Sequence, residues 1–227
     1  MAYKALVLFD IDGTLIRRAG PQHKEAMMEA VFRVTGLKTS FDGIPLYGML
    51  DPDIITGMMR NAGASRAAIR AAMPEIVRRA QSIYVRNSPD SIARRMCPGV
   101  KRLLDRLTRE QVLIGLVTGN LTRIGWKKME RAGLREYFHF GAFGEMATTR
   151  GGLAKLAIRR ARQEGWIARR ARTSLIGDAP ADVLAAKQSG AQAIAVATGV
   201  VPADQLLGCE PDLLLNDLRE LKLEMVL

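Results

Sequence analysis

The chain of 227 residues has room for one large domain or two smaller ones, and its 48% hydrophobic and 25% charged content excludes a disordered protein. No apolar run is long enough to cross a bilayer, and the N-terminal one is too short and too acidic for a signal-peptide core, so no membrane partner and a cytoplasmic location are expected. The formal net charge of +11 leaves two kinds of partner open, nucleic acid and small anionic substrates.

The first predicted element is a buried strand at residues 6–9, an apolar run bounded by turn residues of the kind found in parallel sheets. It ends abruptly in Asp10-Ile11-Asp12-Gly13-Thr14-Leu15. Strand residues alternate faces, so if the chain is still extended there Asp10 and Asp12 project together from the strand's C-terminal end. That edge is where open α/β sheets bind ligands. Two like charges so close need a compensating cation, most simply the hard, oxygen-seeking Mg2+.

Residues 18–95 carry helical patterns at 23–35, 52–61 and 67–85 and no convincing strand. Beyond them strands at 112–117, 173–176, 193–197 and 213–215, with a weaker one at 138–143, alternate with helices at 100–109, 123–132, 153–164 and 181–189. Gly133 and Gly190 stand where helix-terminating glycines belong. The alternation predicts an α/β fold: a Rossmann-like parallel sheet with helices on both faces, built from residues 1–17 and 96–227. Residues 18–95 then form an inserted α-helical cap, in a loop position that tolerates insertions and carries specificity.

The basic residues are dispersed as pairs, Arg17-Arg18, Arg78-Arg79, Arg94-Arg95, Arg159-Arg160 and Arg169-Arg170, along presumed helix faces, and only 5% of residues are aromatic. Solvated helix faces account for them better than a nucleic-acid surface. Cys97 and Cys209 lie far apart and read as reduced thiols, and His23 and His139 are too isolated to suggest a zinc site.

Several further features can join the two acids. The second strand ends in Val117-Thr118-Gly119-Asn120 just before a helix, where a hydroxyl and backbone N–H groups suit an anion. Arg150, in Thr148-Thr149-Arg150-Gly151-Gly152, precedes another helix, with Lys155 one turn in as the fallback cation. A later strand ends in Gly177-Asp178-Ala179-Pro180-Ala181-Asp182, so Asp10, Asp12 and Asp178 can supply oxygens around one ion, with Asp182 as a further metal candidate. In the cap, Gly48-Met49-Leu50-Asp51 is a turn that can present backbone N–H groups or Asp51 to a substrate, although Asp51 has a plainer role as the N-cap of the helix from Pro52.

In this order the motifs closely resemble those of the haloacid dehalogenase superfamily: Asp10 to Leu15 match its DxDGT[LV] motif, Thr118 its second, Arg150 its third and Gly177 to Asp182 its GDxxxD motif. The resemblance covers the whole chain, with the insert similar to the family's helical C1 cap, and it is nearest to the phosphoglycolate phosphatase-like subgroup. It implies a Mg2+-dependent phosphatase acting on a small phosphorylated metabolite. Asp10 would be the nucleophile forming an aspartyl phosphate and Asp12 the general acid and base. The Asp10 carboxylate, the Asp12 carbonyl and Asp178 would hold Mg2+, and Thr118, Gly119, Asn120 and Arg150 the phosphoryl oxygens. The acid at Asp12 argues against the dehalogenases and phosphonate-cleaving members of the family, which lack it. A sugar-phosphate mutase is the enzymatic alternative, and a non-catalytic basic module binding nucleic acid on this scaffold is the other.

Overall fold

The computed structural model describes residues 2–17 and 20–227. The strands are β1 (Tyr3–Phe9), β2 (Leu113–Val117), β3 (Phe140–Ala142), β4 (Ile167–Gly177), β5 (Gln192–Val196) and β6 (Leu213–Leu215). All pair in parallel, in one six-stranded sheet of order β3-β2-β1-β4-β5-β6. The helices are α1 (Gln22–Thr35), α2 (Asp51–Asn61), α3 (Arg66–Asn87), α4 (Val100–Arg109), α5 (Thr122–Ala132), α6 (Arg150–Gln163), α7 (Pro180–Ser189) and α8 (Ala203–Leu207).

The continuous apolar run of β1 is explained by burial on both faces. Ala5, Val7 and Phe9 pack on one side with Leu103, Leu104 and Leu107 of α4 and Met129 of α5. Leu6 and Leu8 pack on the other with Leu153 and Ala157 of α6 and Val183 of α7. The strand order reverses beside β1, so the loops after β1, β2 and β4 meet at one crevice.

Three expectations need correction. β4 starts at Ile167, not 173, because its first residues pair only through Tyr3, with a register shift before Ala5, and the exposed Arg169 and Arg170 hide any apolar pattern. Those two arginines therefore lie on a strand, and Arg94 and Arg95 in a 3-10 turn, rather than on α-helix faces. The short α8 has no counterpart in the sequence reading. Arg18 of the first basic pair, and the first two positions of the insert, lie outside the described residues.

Between β1 and α4 the chain is helical, as its pattern predicts. Met27, Ile55, Met58, Met59, Ile76 and Tyr84 form an apolar cluster of their own, which Leu121 and Ile124 at the start of α5 join. Met27, Met58 and Met59 thus serve packing. Arg17 N–H donates to the Arg95 carbonyl at 2.7 Å, so the chain departs for these helices and returns from them at one place. Among the described residues no helix is long and apolar enough to cross a membrane.

Candidate active site

A cavity of about 750 Å3 opens at the C-terminal edge of the sheet, between the sheet loops and α1 and α2, and Asp10, Asp12, Thr118, Lys128, Arg150 and Asp178 line it. β1 ends at Phe9, and Asp12 forms a bridge with Ile16 instead of continuing the strand. The two acids consequently face different neighbours rather than one shared partner, which corrects the extended-chain expectation.

Asp10 sits among Arg150, Asp178 and Asp182. Its Oδ1 lies 2.7 Å from Arg150 Nη2. The pair is close but not aligned as a hydrogen bond, so Oδ1 and Nη2 are both buried without a hydrogen-bond partner. Arg150 Nε donates to Asp182 Oδ1 at 2.6 Å, and Ala179 N–H to Asp182 Oδ2 at 3.1 Å. Thr14 donates to Asp178 Oδ1 at 3.1 Å. A Cβ at Gly13 or Gly199 would overlap the Asp178 carboxylate, and one at Gly177 would overlap Asp182, so only glycine lets the backbone come so near these acids. Burial, then the charges of Asp10 and Asp182, push the Asp178 carboxyl well above the usual carboxylate range. Burial also raises Asp182, although Arg150 works against it. Burial opposes the charge of Arg150, but Asp10, Asp182 and Asp178 outweigh it and hold the guanidinium protonated.

Carboxylate oxygens of Asp10, Asp178 and Asp182 lie within 4.8 Å of one another. An all-oxygen donor set, raised carboxyls and an orphaned Asp10 Oδ1 fit a hard divalent cation. Asp182 belongs to this cluster, and its two oxygens also hold Arg150 and the turn before α7.

Asp12 has the opposite surroundings. Burial would raise its carboxyl, but Lys128, His23 and Asn120 outweigh that and hold it below the usual range. Lys128 Nζ donates to Asp12 Oδ2 at 2.5 Å and Asn120 Nδ2 to the same oxygen at 2.9 Å. No hydrogen bond reaches Oδ1 among the described residues.

Thr118 is fully buried, and its Oγ1 accepts from Asn120 Nδ2 at 2.7 Å, which leaves its own proton to donate. Gly119 lies close against residues 49–51: its carbonyl accepts Asp51 N–H at 2.8 Å, and a Cβ there would overlap the Met49 carbonyl. Asn120 contributes its side chain, to Asp12, Thr118 and Lys128, rather than only a backbone N–H.

Beyond Asn120 the first N–H groups of α5 are taken by side chains and are not open to an anion. Asp51, Glu145 and Gln81 side chains already accept from the N–H groups of Leu121, Thr122 and Arg123. Asp51 does not N-cap its own helix: Leu50 holds that position, and the Asp51 carboxylate, 3% exposed, caps α5 instead. Gly48 (φ 73°) packs against Ala179 and Ala181. Arg150 is buried at the cavity, whereas Lys155 is exposed on α6 and lines no part of it.

The sequence reading missed Lys128, His23, Thr198 and Gly199. Lys128 stands four residues after Ile124 and seven after Leu121, on the apolar stripe of α5, and a lysine there is the signal that could have found it. Thr198 and Gly199 follow β5 at the same sheet edge, and Thr198 donates to the Gly13 carbonyl at 2.5 Å.

A haloacid dehalogenase-like hydrolase family model matches residues 4–190. A phosphoglycolate phosphatase of Synechococcus elongatus is 32% identical over 125 residues, 55% of this chain and 56% of that protein, so the match spans little more than half of each. A β-phosphoglucomutase structure from Clostridium difficile superposes with a TM-score of 0.71 at 17% identity, covering 98% of this chain and 95% of that one. The phosphate complex of CbbY from Rhodobacter sphaeroides gives 0.68 at 20% identity, covering 96% of each chain. At such identities these structures establish a shared fold.

Proposed function

The chain belongs to the haloacid dehalogenase-like hydrolases, and from that premise we propose that it is a Mg2+-dependent phosphatase hydrolysing a small phosphomonoester. The reading rests above all on the division of labour between two acids on one cavity: Asp10 beside a buried arginine in an acidic cluster, Asp12 tethered apart by Lys128 and Asn120.

With Asp10 Oδ1 facing Arg150, Oδ2, which accepts no hydrogen bond among the described residues, would be the oxygen that attacks phosphorus. The attack makes an aspartyl phosphate and divides one hard displacement into two easier ones. Asp12 is held through Oδ2 alone, so Oδ1 is free: it must carry a proton to give to the leaving oxygen, and it takes one back from the attacking water, which restores the starting state. The Thr118 hydroxyl and Arg150 Nη2, each with an uncommitted proton, would hold the phosphoryl oxygens. The Asp10 and Asp178 carboxylates, with the Asp12 carbonyl, would hold Mg2+, which when bound draws negative charge off the phosphoryl group. Arg150 balances part of the acidic charge meanwhile, and Asp182 fixes the guanidinium.

Residues 18–95 are proposed as the cap that covers the leaving group, with Met27, Phe41, Leu46 and Tyr47 as its wall of the cavity. The test is phosphate release from a panel of phosphorylated metabolites, 2-phosphoglycolate included, with and without Mg2+, beside Asp10→Asn. Activity that survives Asp10→Asn would refute the nucleophile. An isomerised sugar phosphate in place of free phosphate would mark a mutase instead.

A further inference from the structure

The phosphatase reading uses Lys128 only as a tether of Asp12 and leaves its contact with His23 unexplained. It is 1% exposed on α5, and a buried ammonium is costly unless each of its protons is satisfied. An ammonium has three donors. Three acceptors surround this one: Asp12 Oδ2 at 2.5 Å, Asn120 Oδ1 at 2.6 Å and His23 Nδ1 at 3.3 Å. A Lys128 ammonium donating to Nδ1 requires that nitrogen to be bare, which puts the ring proton on Nε2. Nε2 then donates to Asp51 Oδ2 at 2.9 Å, and the same oxygen accepts Leu121 N–H at 2.8 Å. His23 also meets the buried ring of Tyr84 edge-on, with centroids 5.8 Å apart.

The acceptor set is thus split between two parts of the chain. Asp12, Asn120 and Lys128 come from the sheet loops and α5, whereas His23, Asp51 and Tyr84 come from α1, α2 and α3. With His23 withdrawn, Lys128 lacks its third acceptor, and Asp12 loses a fixed anchor while its other oxygen stays free. We propose that Lys128 is a positioning residue for Asp12, and that the His23–Asp51 pair completes its coordination only when the helical insert is seated, so the acid is aligned when the cavity is closed. The proposal rests on the reading of Asp12 as the general acid.

The experiment compares two substrates, 2-phosphoglycolate, whose alkoxide leaving group needs a proton, and p-nitrophenyl phosphate, whose phenolate does not. Lys128→Met is expected to lower kcat on the alkyl phosphate roughly tenfold to a hundredfold, the effect of losing one charge-assisted hydrogen bond, with KM within about threefold. On the aryl phosphate kcat should fall by less than about threefold. His23→Ala removes only the insert's contribution and should give the same substrate pattern at about threefold to tenfold. If Lys128→Met does not fold, His23→Ala carries the test. Equal losses on both substrates would reduce the network to packing and overturn the proposal, as would no loss on either. Asp12→Asn is run beside them. If it discriminates the substrates and the Lys128 and His23 variants do not, the positioning role fails and the acid stands. If it does not discriminate, both fail together.

Discussion

Asp10 and Asp12 are two residues apart in sequence and line one cavity, yet they are held by contrasting means. The surroundings of Asp10 come from the ends of neighbouring strands and the helices that follow them, and are dominated by acids facing one arginine. The surroundings of Asp12 are donors, Asn120 after β2 and Lys128 on α5, with His23 of α1 behind Lys128. The first half is short of positive charge and could hold a cation, whereas the second is already compensated. An identical side chain thereby meets two environments, the contrast that the proposed split into nucleophile and acid requires.

The sharpest way to break this comparison is Asp10→Asn. If Asp10 is the nucleophile, phosphate release should fall by on the order of 10^4-fold or more, with the fold intact, because no other group can form the covalent bond. A loss no greater than that of Asp12→Asn would erase the proposed distinction between the two.

Arg150→Ala is next, and acts on stability as well as rate. Arg150 is the cation between Asp10 and Asp182, and breaking a buried pair leaves the acids uncompensated at about 3–5 kcal/mol. Thermal unfolding should drop by about 10 °C for a chain of this size. The drop should shrink in acid, where the carboxyls of Asp178 and Asp182, raised by burial, take up protons instead. A drop independent of pH would mean that Arg150 contributes packing alone.

The same contrast explains what was legible in the sequence. Asp10, Asp12, Asp178 and Asp182 were found because strand ends place their residues by local rules: an apolar run stops, and the acids that follow face the sheet edge. The parallel sheet and the helices between β1 and β2 follow likewise from periodicity. Lys128, His23 and the capping of α5 by Asp51 were not found, because they join residues 28 to 116 positions apart through tertiary contacts that no local pattern encodes. The first half of β4 was hidden for a related reason, since exposed arginines pair through their backbone whatever their side chains.

A smaller effect separates the Asp178–Asp182 cluster from Asp12 by pH in metal-free buffer. The Asp178 and Asp182 carboxyls are raised, so the folded chain binds their protons more tightly than the unfolded chain does. Their contribution to stability is full below the ordinary value of 3.8 and is lost as pH rises through the raised values. The Asp12 carboxyl is lowered, so its contribution is present above 3.8 and lost as pH falls through the lowered value. Mg2+ binds ionised carboxylates and should lift only the high-pH side, by about 2.7 kcal/mol at a hundredfold excess over Kd, or about 5–10 °C in Tm. A Tm gain from Mg2+ as large in acid as in alkali would contradict the cluster as its site.

The smallest expected effect belongs to Lys155→Ala, and it tests the first half of the site by exclusion. Arg150 opens α6 and turns into the cavity. Five residues on, at about 100° per residue, Lys155 points about 140° away around the helix, and its side chain is exposed. Its neighbour one turn ahead is Arg159, a like charge, so alanine relieves a repulsion of a few tenths of a kcal/mol and adds helix propensity. Stability should change by no more than about 0.5 kcal/mol, in the upward direction. Because the cation that meets Asp10 is untouched, kcat/KM should remain within about twofold of the parent. A large loss of kcat/KM with Tm unchanged would require α6 to present Lys155 to the phosphoryl group in the working enzyme, and would transfer to Lys155 the role that the buried ion pair gives to Arg150.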